Sequence, residues 1–142
     1  MMAAFEASGR RITPQRRAIL GYFAGRSDHP SARQILRDLS SHLPRPSLAT
    51  VYNTLTALVG LGLIREVDFE ATDNRYDTNL APHINLACVR CGSIVDVDHD
   101  LPVPPAAIRS ELGFEAVDFQ IEYRGLCATC RVSRATEPGV RR

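Results

Sequence analysis

Two C-x-x-C pairs, Cys88-Val89-Arg90-Cys91 and Cys127-Ala128-Thr129-Cys130, hold all four cysteines of this 142-residue chain. Thirty-five residues lie between Cys91 and Cys127. Two such knuckles supply four thiolates, the ligand set of a tetrahedral structural zinc. The interval exceeds that of a simple zinc ribbon and leaves room for an inserted helix and strand. A thioredoxin-like redox role needs a C-x-x-C after a strand within a βαβ unit, and neither pair reads that way. A segment of about 60 residues has too little core to hold itself, and a structural zinc contributes on the order of 10 kcal/mol of folding free energy. The cysteines therefore predict a metal-fastened C-terminal module, and a module in front of it.

The charge supports that division. The net charge is only +1, but residues 1–65 carry 9 Arg against 3 acids, and residues 66–142 carry 8 Arg against 13 acids. The front is +6 and the back −5, the pattern of a front half that meets a polyanion. The N-terminus has no signal-peptide core, and the apolar run from Ala57 to Ile64 is too short for a bilayer span. A cytoplasmic protein is the expectation.

The front half reads as three helices and a hairpin. Thr13 caps a helix that has Pro14 at its first position. Ser31 and Gln34 form a capping box ahead of Ile35, Leu36, Leu39 and Leu43. Ser47 caps the third helix, where Leu48, Val51, Tyr52, Leu55, Leu58 and Val59 follow a 3.6-residue period. Its other face carries Ala49, Thr50, Asn53, Thr54 and Ala57, small and uncharged, which suits a helix lying on the floor of a major groove. Gly60 and Gly62 end it. "LIREVDF" and "RYDTN" read as strands joined by the turn "EATDN". Three helices and a hairpin make a winged helix-turn-helix.

Behind residue 81, strands flank the first cysteine pair, "LPVPPAAIRSEL" gives a short helix, and "GFEAVDFQIEYRGL" alternates as a strand up to "CATC". The last residues, "RVSRATEPGVRR", read as a frayed tail. The fold class is α+β, with a winged-helix DNA-binding domain over residues 1–80 and a small zinc-stabilised α/β domain over residues 81–142. Arg11, Arg16 and Arg17 are candidates for phosphate contacts, and Thr50, Tyr52 and Asn53 for the groove. Tyr52 also fits the apolar stripe.

The motifs "RITPQRRAIL", "HPSA", "PSLATVYNTL", "NRYD", H-x-N-x-x-C-x-x-C-G-x-I-V-D and "GLCATC" occur in an order that resembles the ferric uptake regulator (Fur) family. The resemblance spans residues 10–130 and is nearest to the peroxide-responsive PerR branch. It implies a homodimeric, metal-dependent repressor that grips a palindromic operator in double-stranded DNA. It also implies a regulatory Fe(II) or Mn(II) site of three histidines and two aspartates. Carried over, these are His29, Asp77, His83 and Asp96. The third histidine position holds Asn85 here, so Asn85, water or His99 completes the set. The peroxide-sensitive positions of the branch match His29 and His83. A metal bound by ligands from both halves would fix the angle between them.

Three other functions fit parts of the sequence. One is an iron- or manganese-uptake regulator without peroxide sensing. The second is a zinc-binding thiol redox protein. The third is a zinc-ribbon adaptor for proteins, against which the charge split argues. A zinc deaminase would need H-x-E ahead of its C-x-x-C, and none occurs.

Overall fold

A computed structural model of the chain describes residues 1–41, 47–67, 74–100, 105–116 and 119–135. The chain divides into two compact units, Met1–Leu80 and Ala81–Arg142.

The first unit contains helices α1 (Met2–Ala7), α2 (Pro14–Tyr22), α3 (Ala32–Leu39) and α4 (Leu48–Gly60), followed by strands β1 (Arg65–Val67) and β2 (Arg75–Asp77). Local chemistry starts each of the three main helices. Thr13, Ser31 and Ser47 accept hydrogen bonds from the backbone N–H groups of Arg16, Gln34 and Thr50, satisfying donors that the helix itself cannot. The end of α4 is a Schellman turn. Gly62 N–H donates to Val59 O and Leu63 N–H to Leu58 O. This needs a left-handed residue, and Gly62 supplies it with φ 64°. The sequence names two glycines as the stop; Gly62 does the work, and Gly60 is the last helical residue.

The core gathers Phe5, Ile19, Leu20, Phe23, Ile35, Val51, Leu55, Leu58, Ile64 and Tyr76. α1 was not expected. Its signal is Met2 and Phe5, three apart, with Phe5 fully buried. Burying one such ring contributes about 1.5–3 kcal/mol, enough to hold a six-residue helix that could not stand alone.

β1 and β2 are antiparallel, pairing Arg65 with Asp77 and Val67 with Arg75. They are shorter than the sequence suggests, and the "EATDN" turn lies mostly outside the described residues. β2 is also tied to the loop before α3. Tyr76 N–H donates to Pro30 O at 3.0 Å, Ser31 bridges to Arg75, and Thr78 Oγ1 donates to Arg26 O at 3.1 Å.

The second unit holds β3 (Ile84–Cys88), β4 (Ile94–Val97), α5 (Pro105–Leu112), β5 (Ile121–Gly125) and α6 (Ala128–Ala135). The sheet order is β4-β3-β5, with β3 antiparallel to β4 and parallel to β5. Two expectations are corrected. The strand predicted from Phe114 is observed over Ile121–Gly125; residues 113–116 and 119–120 are not in a strand, and 117–118 lie outside the described residues. Residues 131–135, read as tail, continue α6. Cys130 is a buried residue of that helix and anchors it. No helix among the described residues is long and apolar enough to cross a membrane.

Side-chain direction alternates along a strand, so the register gives this sheet two chemically different faces. Ile84, Leu86, Val95, Val97, Ile121 and Tyr123 share one face. Asn85, Asp96, Glu122 and Arg124 share the other.

Candidate metal centre

The four sulfurs of Cys88, Cys91, Cys127 and Cys130 lie within 4.8 Å of one another. All four cysteines are free of disulfides. Cys91 Sγ and Cys127 Sγ are 3.8 Å apart. Four sulfurs at about 2.3 Å around a tetrahedral zinc are themselves about 3.8 Å apart, so the set has the spacing of a zinc site.

The first knuckle hangs from β3. Cys88 is the last strand residue, Cys88 N–H donates to Ser93 O, and Gly92, at φ 71°, turns the chain back toward Cys88 O. The second knuckle joins β5 to α6. Cys127 N–H donates to Cys88 Sγ at 3.3 Å, and Arg90 reaches across to the carbonyl of Cys130 at 3.2 Å.

These dipoles separate the thiols. The N–H groups of Cys127 and of Cys91 and Arg90 hold the Cys88 thiol down to about 6. Ser93 lowers that of Cys91. Burial pushes Cys130 up to about 12, so a cation is what makes its thiolate favourable.

The regulatory candidates form one pair in each unit. In the first, the ties between β2 and the loop ahead of α3 bring His29 against Asp77. His29 Nε2 and Asp77 Oδ2 are 3.6 Å apart, both side chains nearly inaccessible. Asp77 Oδ1 accepts the backbone N–H of Asn79 at 2.7 Å, which fixes the carboxylate and aims Oδ2 at the imidazole.

In the second unit, His83 Nε2 and Asp96 Oδ1 are 3.9 Å apart. His83 Nδ1 lies 2.8 Å from Ala81 O. A carbonyl can only accept, so Nδ1 carries a proton, and in the neutral ring this leaves the lone pair on Nε2, the tautomer that binds metal. Sequence reasoning missed these supports, the Asn79 amide and the Ala81 carbonyl; only "D-x-N", an Asx-turn signal, hinted at the first.

Asn85, in the middle of β3, is 5% exposed. His99 lies two residues beyond β4 and is exposed. The buried polar and charged side chains among the described residues are His29, Ser31, Thr54, Asp77, His83 and Asn85. Ser31 is accounted for as a helix cap, and Thr54 donates to Thr50 O at 2.7 Å. The other four are positions carried over for the regulatory metal.

The candidate reading helix is α4. Ala49, Asn53 and Thr56 are exposed on it. Thr50 is half-buried, its hydroxyl 2.8 Å from Ser47 Oγ. Tyr52 is half-buried and packs on the core. Thr54, expected on the outer face, is fully buried; its methyl fills the core, and its hydroxyl is satisfied within the helix. Thr56 was missed. Arg11 and Arg17 are exposed, and Arg16 lies over the Phe5 ring at 5.9 Å with one N–H donated to Arg11 O.

A winged-helix unit and a four-thiolate zinc unit in one chain define a metal-binding regulator of transcription. The chain belongs to the ferric uptake regulator family, whose model matches residues 7–124. It is 32% identical over 131 residues to the peroxide-responsive repressor PerR of Staphylococcus epidermidis, covering 92% of this chain and 87% of that protein. PerR from Streptococcus pyogenes, solved in a study of peroxide sensing and gene regulation, is similar at 33% identity and a TM-score of 0.50. That match covers 91% of this chain and 89% of that one. The ferric uptake regulator of Francisella tularensis, solved with iron, shares the fold at 23% identity and a TM-score of 0.71, covering 87% of this chain and 96% of that one.

Proposed function

We propose that this chain is a metal-dependent, DNA-binding repressor that responds to peroxide. In this reading Cys88, Cys91, Cys127 and Cys130 hold a permanent zinc. His29, Asp77, His83 and Asp96 hold an exchangeable Fe(II) or Mn(II). The observation that carries it is the imidazole–carboxylate pair in each unit, His29–Asp77 fully buried and His83 buried against a partly buried Asp96. Burying such pairs is costly unless a cation or a proton completes them. One ion drawing a pair from each unit would favour a single conformation by differential affinity.

The apolar sheet face supports a homodimer. Leu86, Val95 and Tyr123 are 43–57% exposed side by side on it, and a second copy would cover them. Two copies would set two α4 helices at a fixed spacing for a palindromic operator. In this reading Asn53, with Thr50 and Thr56, meets base edges, and Arg11, Arg16 and Arg17 meet phosphates. Tyr52 serves mainly as packing.

If held by these residues, Fe(II) would supply the electron for cleavage of a peroxide O–O bond, and the imidazoles of His29 and His83, as its ligands, would be the groups exposed to oxidation. The thiol-redox alternative is disfavoured by the sulfur spacing, which suits an ion held by all four.

The test uses a duplex selected from random sequence by the Mn(II)-loaded protein. The zinc-retaining, otherwise metal-stripped protein is expected to bind it at least tenfold more weakly, the scale of allosteric coupling at about 1–3 kcal/mol. Fe(II) or Mn(II) should restore binding. Peroxide should abolish it for the Fe(II) form and add an oxygen atom to His29 or His83 by mass spectrometry. Equal binding with and without the exchangeable metal would refute the reading.

A further inference from the structure

We infer that Asn85 is itself a ligand of the regulatory metal, through its amide oxygen, and that this shifts the site's preference from Fe(II) toward Mn(II). The inference rests on the proposed regulatory site and specifies its metal.

Three observations in the second unit converge. Asn85 Oδ1 is buried and has no hydrogen-bond partner. A buried carbonyl oxygen without a donor is unfavourable, and a cation is what it lacks. Asn85 is also the cross-strand partner of Asp96, so their side chains leave the same face of the sheet at neighbouring points. Asp96 in turn faces His83 Nε2. The amide oxygen thus belongs to the polar face that carries the carboxylate and the imidazole.

The other candidates on that side are less suited. Glu122 is the β5 partner of Asn85 but is ion-paired with Arg124. His99 is exposed, beyond the end of β4. Of the Asn85 side chain, only the oxygen can ligate, and it is the atom buried without a hydrogen-bond partner.

The donor set follows. With Asn85 the site offers two imidazole nitrogens and three oxygens, from Asp77, Asp96 and Asn85. Imidazole at that position would give three nitrogens and two oxygens. Exchanging nitrogen for a neutral carbonyl oxygen hardens the site and moves its preference toward Mn(II), which favours carboxylate and carbonyl donors.

The experiment compares zinc-loaded wild type with Asn85→Leu, Asn85→His and Asp96→Ala, each checked for full zinc content and an unchanged melting profile. Mn(II) affinity is read by electron paramagnetic resonance titration, and coordinated nitrogens are counted by electron spin-echo modulation. Asn85→Leu is expected to lose roughly tenfold or more in Mn(II) affinity. Asn85→His is expected to add a third imidazole nitrogen and to shift the Fe(II)/Mn(II) affinity ratio toward iron by about tenfold. Mn(II) affinity within twofold of wild type in Asn85→Leu, or two nitrogens in Asn85→His, overturns the inference. Asp96→Ala separates the two levels. If it loses Mn(II) while Asn85→Leu does not, only the role of Asn85 fails. If it too binds Mn(II) normally, the proposed regulatory site fails.

Discussion

Asn85 on β3 stands directly opposite Asp96 on β4. This pairing turns one side of a three-stranded sheet polar while the other stays apolar. The next pair along the ladder, Leu86 with Val95, faces the opposite way. One short hairpin, closed by the first cysteine pair, therefore presents a polar face and an apolar face on opposite sides.

The apolar face gives the first prediction. Leu86→Asp combined with Val95→Asp places two carboxylates where both side chains are largely exposed, so the fold of one chain is spared. The expected outcome is a shift from dimer to monomer by light scattering, with zinc retained and DNA binding weakened by loss of the second half-site. A variant that remains dimeric at micromolar concentration would place the dimer interface elsewhere.

Zinc removal gives the second. Cys91→Ser should lose zinc and with it the cooperative melting of residues 81–142, because that unit has little core of its own. The pH dependence follows from the thiols. Cys88, lowered to about 6, is already ionised at pH 7.5, whereas Cys130, raised to about 12, releases its proton to solvent only when the metal binds. Zinc loading at pH 7.5 should release a proton from Cys130 and little from Cys88. Apparent zinc affinity should fall more steeply once the pH drops through 6, where protons compete for Cys88 as well. Chelator competition at pH 8, 7 and 5.5 measures this.

The third concerns the carboxylate that the Asn79 amide orients. Asp77→Asn keeps the size of the side chain and an oxygen to accept that N–H, but removes the charge beside His29. Affinity for Mn(II) should drop by about 10–100-fold with zinc content unchanged. DNA binding should then require correspondingly more Mn(II) in a gel-shift titration.

The fourth separates reading from packing on α4. Asn53 is exposed and Thr54 is fully buried. Asn53→Ala should weaken binding to the selected duplex by about 1–3 kcal/mol if it meets a base edge and leave the melting temperature unchanged. Thr54→Val removes a hydroxyl that bonds only within its own helix and should leave DNA affinity unchanged, altering stability by less than about 1.5 kcal/mol. Inverted outcomes would mean that the helix presents another face.

Much of this was readable along the chain, because much of it is local. Thr13, Ser31 and Ser47 cap helices within three residues of themselves. The period of Leu48 to Val59 fixes one side of α4 with no reference to anything distant. The cysteine spacing names a metal before any fold is known. What escaped the reading was non-local. α1 exists because Phe5 finds a core made by other helices, and α6 because Cys130 must reach the sulfurs at the end of β3.

The sequence by itself determined the kinds of ligand available, the starts of the three capped helices and the opposite charges of the two halves, since each depends on residue type and short spacing. Only the tertiary structure decided which polar groups are buried and which way they face. It sent Thr54 inward, left His99 in solvent and set Asn85 opposite Asp96. The physical reason is register: strand pairing joins residues far apart in sequence, and a shift of one residue would have turned Asn85 to the apolar side.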